Sequence, residues 1–238
     1  MIEKTPCIRI KLTDTKPSVF ESKVGGLGYL PHDGNFPVDN DGNQLRLLAQ
    51  IDCSQVNFDP FPKSGLLQFW IQNDELYGCD FGNPEQNTFR ILYYPELDRT
   101  VTEQEIQAKF VKSEYDEEAL FPVDKECGMI FESGESFKRP EIDFDADEAE
   151  EEARWNEYGK LTSGYPNHQI GGYPYFTQDD PRDEDSEYNF LLFQLDSDSR
   201  DGKDTVLWGD VGIGNFFINS EKLKALDFSD VLYNWDCG

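Results

Sequence analysis

An α+β fold is predicted: mainly antiparallel sheet with a few helices, in which two pseudo-symmetric halves pack as one globule. Three observations predict it. Short apolar runs alternate at period two between clusters of Gly, Pro, Asn and Asp, the pattern of strands joined by turns. Helix signals are confined to the middle of the chain. Three blocks also recur in the same order: "VGGLGY" (24–29) with "IGGYPY" (170–175), "LLAQID" (47–52) with "LLFQLD" (191–196), and "GLLQFWI" (65–71) with "GIGNFFI" (212–218). Their offsets of 146, 144 and 147 residues stay nearly constant, as an internal duplication requires.

Taken in order, "PCIRIKL" (6–12) alternates in character and predicts a first strand. The glycine phrase follows, where Gly25 and Gly26 (and Gly171 and Gly172) allow positive φ or close backbone approach. "PHDGNFPVDNDGNQ" (31–44) is turn chemistry, with Asp41-Gly42 placed for a hairpin. In "LRLLAQID" (45–52) Leu45, Leu47, Ala49 and Ile51 share one face of a strand. "LLQFWI" (66–71) is apolar on both faces and so predicts an interior strand. "ELYGCDF" and "FRILYY" are expected to extend the meander until Pro95 closes it. Thr102 with Glu105 has capping-box spacing, and Ile106 and Phe110 can share a face, so a short helix is predicted there.

Residues 141–152, "EIDFDADEAEEE", hold eight carboxylates and no base. With "ARWNEYGK" after them they predict a very acidic amphipathic helix. The alternative is a disordered acidic segment, against which Phe144, Trp155 and Tyr158 argue. The expected organisation is one domain over 1–238. Its repeat halves lie at about 20–100 and 165–238, joined by a helical acidic segment at 101–160.

Composition bounds the function. The net charge is -27, from 48 acidic and 21 basic residues. Such a field repels nucleic acid and anionic membranes and attracts basic proteins, so neither of the former is an expected partner. The five cysteines are odd in number and no pair has CxxC spacing, which fits a reducing, cytoplasmic compartment rather than a zinc or disulfide framework. The first residues carry no long apolar run of the signal-peptide kind, and no stretch approaches a membrane span.

Recognisable catalytic sets are absent from the pattern. The glycine phrase lacks GxGxxG, since Gly26-x-Gly28 runs into Pro31, and no GKS or GKT follows. His32 beside Asp33 reads as a turn, and two histidines in all leave little for a metal site or a triad. "DSDSRDGKD" (196–204) fails the EF-hand spacing and reads as a solvated loop. Gln50 and Gln194 recur in the two halves, as do Asp52 and Asp196. The amides suit backbone pairing inside the fold and the aspartates suit turn capping, with acid/base work as the alternative. Asn215 aligns with Gln68. Trp208 and Trp70 are core residues or parts of a peptide groove, and Asp210, between glycines, is a functional carboxylate or a turn former.

"GGLGYLP", "LLAQID", "FPKSGLLQFWI", "LWGDVGIGNFFI" and "FSDVLYNWDCG" together resemble the bacterial YwqG family over nearly the whole chain. That family is described as a domain of unknown function, with a proposed remote relation to the eukaryotic programmed-cell-death-2 proteins, which escort a ribosomal protein. The resemblance implies a duplicated, β-rich fold and a protein-binding role. It supplies no catalytic residues, and the zinc-finger cysteines of the eukaryotic relatives are missing here.

The expectation is therefore a non-enzymatic cytoplasmic binding module for a basic or extended polypeptide, without a cofactor or metal. Its candidate binding residues are Tyr29, Gln50, Tyr173, Tyr175, Gln194, Trp208, Asp210 and Asn215. The acidic runs at 141–152 and 179–187 would capture Lys/Arg-rich segments, and strand addition at a sheet edge is one feasible mode. The alternatives are a carboxylate-dependent hydrolase using Asp33, Asp52, Asp196 and Asp210, perhaps with a divalent ion, and a toxin-immunity protein.

Overall fold

A computed structural model describes residues 2–112, 121–141, 147–163 and 166–238. The strands are β1 (Lys4–Thr13), β2 (Lys23–Val24), β3 (Arg46–Asp52), β4 (Leu66–Ile71), β5 (Phe89–Tyr94), β6 (Cys127–Phe137), β7 (Gln169–Ile170), β8 (Phe190–Asp196), β9 (Asp198–Arg200), β10 (Lys203–Val206), β11 (Ile213–Ile218) and β12 (Val231–Asp236). Three helices accompany them: α1 (Glu103–Ala108), α2 (Glu148–Thr162) and α3 (Ser220–Lys224). Ten strands form one antiparallel sheet in the order β12-β11-β8-β7-β1-β6-β2-β3-β4-β5, and β9 and β10 form a separate hairpin.

The order reads as two five-strand wings joined along the long β1·β6 ribbon, which runs from Lys4↔Phe137 to Thr13↔Gly128. In one wing β2 pairs Lys23 with Gln50, and β3 then sets Gln50 opposite Gln68. In the other β7 pairs Gln169 with Gln194, and β8 sets Gln194 opposite Asn215.

The wings curl toward each other. On β4, Leu67, Phe69 and Ile71 enter a central apolar cluster with Phe193 of β8 and Phe216 of β11. The Phe69 ring lies 4.8 Å from that of Phe193 and 5.0 Å from that of Phe216. The outer faces are covered too. Leu66 and Trp70 pack with Tyr29, Leu30, Phe36 and Ile106 in a second cluster. Leu191 and Phe217 pack with Phe176 and Leu232 in a third. This double covering is why β4 is apolar on both faces.

The two sheet edges nearly meet. The Gln86 side chain accepts the Ile91 N–H of β5 at 2.8 Å and donates to Phe228 O, just before β12, at 2.7 Å. Phe89 and Tyr233 are in ring contact across the same gap, at 5.4 Å. Gln86 thus takes up one outward-facing edge group that another strand would otherwise use.

Several elements differ from their sequence expectation. "ELYGCDF" is a chain of turns, with Tyr77 and Gly78 left-handed at φ 51° and 70°. The segment 101–160 is not a helical linker, because it contains β6 at the centre of the sheet. The glycines that obscured β6 have a packing reason: a Cβ at Gly134 would strike the Arg9 side chain, and one at Gly128 the Thr13 and Thr15 hydroxyls. The 196–204 loop is largely the β9·β10 hairpin, whose turn residues Asp201 and Gly202 have φ 49° and 72°, as a type I′ turn requires.

The acidic helix begins at Glu148, capped by the Asp147 carboxylate, which accepts the Ala149 N–H at 2.9 Å. Phe144, Ala146 and most of the acidic run before Asp147 lie outside the described residues. Thr102 caps α1 by accepting the Glu105 N–H at 3.2 Å, but the Glu105 carboxylate turns to His32 Nδ1 at 2.8 Å instead of closing a capping box. Among the described residues no helix is long and apolar enough to cross a membrane.

Candidate functional site

Each wing contains a backbone clamp. Gly25 and Gly26 lie at φ 66° and 71°, and Gly171 and Gly172 at 67° and 78°. The left-handed turn after β2 or β7 lifts the chain over the outer face of the sheet. There the Tyr29 N–H donates to Gln50 Oε1 at 2.8 Å, and Tyr29 O accepts from Gln68 Nε2 at 2.8 Å. In the other wing the Tyr175 N–H donates to Gln194 Oε1 at 2.8 Å, and Tyr175 O accepts from Asn215 Nδ2 at 3.1 Å. Gln50, Gln68, Gln194 and Asn215 are fully buried.

Five of the candidate binding residues, Tyr29, Gln50, Tyr175, Gln194 and Asn215, are therefore gathered into these two clamps, where buried amides hold the Tyr29 and Tyr175 peptide groups and Asn215 Oδ1 alone is left without a partner. Trp208 is also fully buried, packed beneath Gly214. Asp210 is exposed on the turn before β11. Tyr173 alone of the eight borders a broad concavity on the surface.

That concavity has two basins, of about 670 Å³ and 590 Å³, which meet at Tyr173, Pro174 and Arg182. One basin is walled by Pro6, Phe58, Pro60 and Phe190, and the other by Arg139, Pro140, Trp155 and Phe176. The walls come from β1, the loop after β3, the strand-to-helix connection after β6, α2, the segment after β7, and β8. Aromatic and proline faces supply apolar contact with little rotamer freedom to lose.

The cations on the walls are held in place. Arg139 donates to Phe176 O at 3.2 Å and Gln178 O at 3.0 Å, and its guanidinium lies 5.6 Å from the Trp155 ring centre. Arg182 bonds Asp180 and sits 4.0 Å over Phe217. The rim carries Asp59, Glu141, Asp179 and Asp180. The Tyr173 hydroxyl donates to the Glu3 carboxylate, which pushes its pKa above the ordinary phenol value. Under Tyr175, Tyr158 is pushed up to about 12, first by burial and then by Tyr175.

The four carboxylates of the hydrolase alternative sit on separate elements, and two of them, Asp52 and Asp196, are occupied locally. Asp52 caps the single 3-10 turn after β3, accepting from Ser54 N at 3.0 Å and Ser54 Oγ at 2.7 Å. Asp196, in the opposite wing, accepts from Asn167 N at 2.8 Å and is pushed up by burial. Asp33 and Asp210 sit on separate exposed turns. His32 pairs with Glu105 and with Thr100 Oγ1, at 3.0 Å, rather than with Asp33.

His168 is buried. It accepts the Asp196 N–H through Nδ1 at 3.0 Å, leaving Nε2 toward Asp198 at 3.5 Å. Ser22 does the same for Asp52 in the first wing, at 2.8 Å. Among the described residues no group of three or more His, Cys, Asp or Glu is arranged to hold a metal ion.

Sequence reasoning named Tyr173 as a candidate binding residue and Trp155 as an aromatic that orders the acidic segment, but passed over Phe58, Pro60, Arg139 and Arg182. The available signal was two short motifs alternating proline with aromatics, "FDPFP" (58–62) and "YPYF" (173–176). The family described as a domain of unknown function, DUF1963, matches residues 22–237. No curated protein matches the chain.

Proposed function

Because the chain belongs to this family, DUF1963, whose description names no function, we propose its role from its geometry: a binding module that receives an extended polypeptide segment in the Tyr173–Pro174 groove. The observation that carries this reading is the joining of two basins, both walled by aromatic rings and prolines, across one half-buried Tyr-Pro pair. An extended segment lying across Tyr173 would place alternate side chains in the two basins. Carboxylates on the rim, within a field of net charge -27, favour segments carrying Lys or Arg and speed their encounter.

We read the wings as descendants of one duplicated segment, a reading supported by the matching clamps and by the constant offsets of the repeated blocks. On this view 1–238 is a single domain with halves at about 20–100 and 165–238. The groove then draws on both halves, Phe58 and Pro60 from the first and Phe176 and Phe190 from the second, with α2 and the connection after β6 supplied by the segment between them. The YwqG resemblance and its remote link to escort proteins agree with such a role. A cytoplasmic setting, with nucleic acid and membranes repelled, belongs to the same reading.

The test uses fluorescein-labelled 15-residue peptides rich in Pro and either Lys/Arg or Asp/Glu, followed by anisotropy at 50 and 500 mM salt. The basic peptide is expected to bind, more weakly at high salt, and at least tenfold more weakly to Trp155→Ala and Tyr173→Ser proteins of unchanged circular dichroism. No binding at either salt, or equal binding by the variants, would sink the proposal.

A further inference from the structure

The loop 72–81 and the turn 207–212 come from opposite wings and meet over the Trp235 ring. Tyr77 lies 4.8 Å from that ring, centre to centre, and Phe81 lies 6.3 Å from it. Trp235 Nε1 donates to Leu76 O at 2.8 Å, and the Gly209 N–H donates to the Tyr77 hydroxyl oxygen at 3.3 Å. Gly209 lies flat on this base: a Cβ there would come within 3.2 Å of the Trp235 ring and 2.9 Å of Cys237 Sγ. Beneath, buried Trp208 stacks on Trp235 at 6.2 Å and meets Tyr77 edge-on at 5.4 Å.

On this fixed aromatic base the chain displays apolar side chains to water. Val211 is 66% exposed, Phe81 54% and Leu76 50%. Nothing in the packing of the core calls for them there. Val211 has φ 81°, a left-handed backbone that a β-branched residue rarely adopts, and Tyr77 has φ 51°. Strained backbone of this kind concentrates at binding sites, where the surroundings over-determine it. A contiguous exposed apolar patch likewise marks an interaction surface.

Charge selects the occupant. The segments that build the patch, 72–81, 207–212 and 235–238, carry Asp74, Glu75, Asp80, Asp210 and Asp236 and neither Lys nor Arg. Glu75, Asp80 and Asp210 are exposed. A second copy of the chain would bring the same acidic rim against this one, and like charges set opposite one another disfavour it. A partner of opposite sign meets both the apolar centre and the rim.

We propose that this patch docks a segment of another protein in which Leu- or Phe-type side chains are flanked by Lys or Arg. It is a second surface, sharing no lining residue with the Tyr173–Pro174 groove, and it stands whether or not the groove binds a peptide.

The probe is a labelled 14-residue peptide of Leu, Phe and Lys. Two controls accompany it, one with Glu for Lys and one with Ser for Leu and Phe. Only the first is expected to bind, at least tenfold more tightly than either control. Phe81→Ser and Asp80→Lys should each weaken it at least tenfold, while Trp155→Ala, in the groove, leaves it unchanged. Val211→Gly separates function from folding: relief of the left-handed valine should raise the melting temperature while peptide affinity falls. Failure of the Leu/Phe/Lys peptide to bind would overturn the proposal, as would binding that survives Phe81→Ser or that depends on Trp155.

Discussion

Gln50 holds Tyr29 by its backbone: Gln50 Oε1 accepts the Tyr29 N–H at 2.8 Å in a site closed to water. The same oxygen accepts from Gln68 Nε2 at 2.8 Å, and Gln50 Nε2 donates to Val19 O and Glu21 O at 3.0 and 2.9 Å. Gln194 makes a smaller set, accepting from Tyr175 N and donating to Asn167 O. An orphaned buried polar group costs about 1–3 kcal/mol. Gln50→Leu should therefore destabilise the protein more than Gln194→Leu, by about 1–3 kcal/mol, in urea unfolding followed by fluorescence. Equal losses would show that Gln50 is not the hub of its clamp.

The first glycine pair is tied to a charge pair. A Cβ at Gly26 would overlap the Glu126 carboxylate, whereas one at Gly42, also left-handed at φ 88°, would meet nothing within 4 Å. Gly42→Ala should cost about 1–2 kcal/mol, the penalty of left-handed backbone alone. Gly26→Ala should cost clearly more, because Glu126 must also move. Thermal melts of the two variants check the order.

Lys23 Nζ bonds Glu126 Oε1 at 2.7 Å, with the lysine side chain 1% exposed and the glutamate 19%. Removing one member of a buried pair costs about 3–5 kcal/mol, because the survivor keeps its desolvation without its partner. The partial exposure of Glu126 puts Lys23→Met near the lower figure. Lys23→Met combined with Glu126→Gln should recover part of the loss. A double-mutant cycle in urea measures it, and strict additivity would deny the coupling.

Asp198 ties stability to acid. The hydrogen bond from His168 holds its carboxyl below the ordinary 3.8, against burial and with help from Arg200. A depressed carboxyl contributes stability that is complete above the unfolded value and is lost as pH falls through the lower folded one. Asp198→Asn should cost about 1–3 kcal/mol at pH 7. The gap to the parent protein should narrow once the pH drops below 3.8. Denaturant titrations from pH 7 to pH 3 report that gap, and a constant difference across the range would contradict the assignment.

The thiols divide by burial. Cys53 and Cys79 are pushed up to about 12, desolvation being the largest cause, and burial also raises Cys7 and Cys127. Cys237 is only half-buried, and all five cysteines are free. Because the thiolate is the reactive form, maleimide should label Cys237 roughly tenfold or more faster than the others in the native protein. All five should react in denaturant. Peptide mapping by mass spectrometry identifies the order.

Local pattern carried much of the fold into view. β3, β4, β5, β8 and β11 were legible because period-two alternation and turn residues act over a few positions. Thr102 was legible as a cap for the same reason. β6 was not, since its glycines and polar residues make sense only against Arg9, Thr13 and Thr15, more than a hundred residues away in the chain. Of the candidate binding residues, the sequence marked Gln50, Gln194 and Asn215 by their recurrence. Recurrence alone does not tell a buried clamp from a binding site.

By itself the sequence determined that the chain is acidic, aromatic-rich, mostly antiparallel sheet and patterned in two similar stretches, because composition and short-range periodicity are properties of the chain. Tertiary structure alone decided that Tyr29 and Tyr175 are held by buried amides, that Tyr173 borders a groove walled from six separate segments, and that Leu76, Phe81 and Val211 are left exposed. The physical reason is that exposure and proximity are set by how the two wings curl over their common core, and no local spacing encodes that closure.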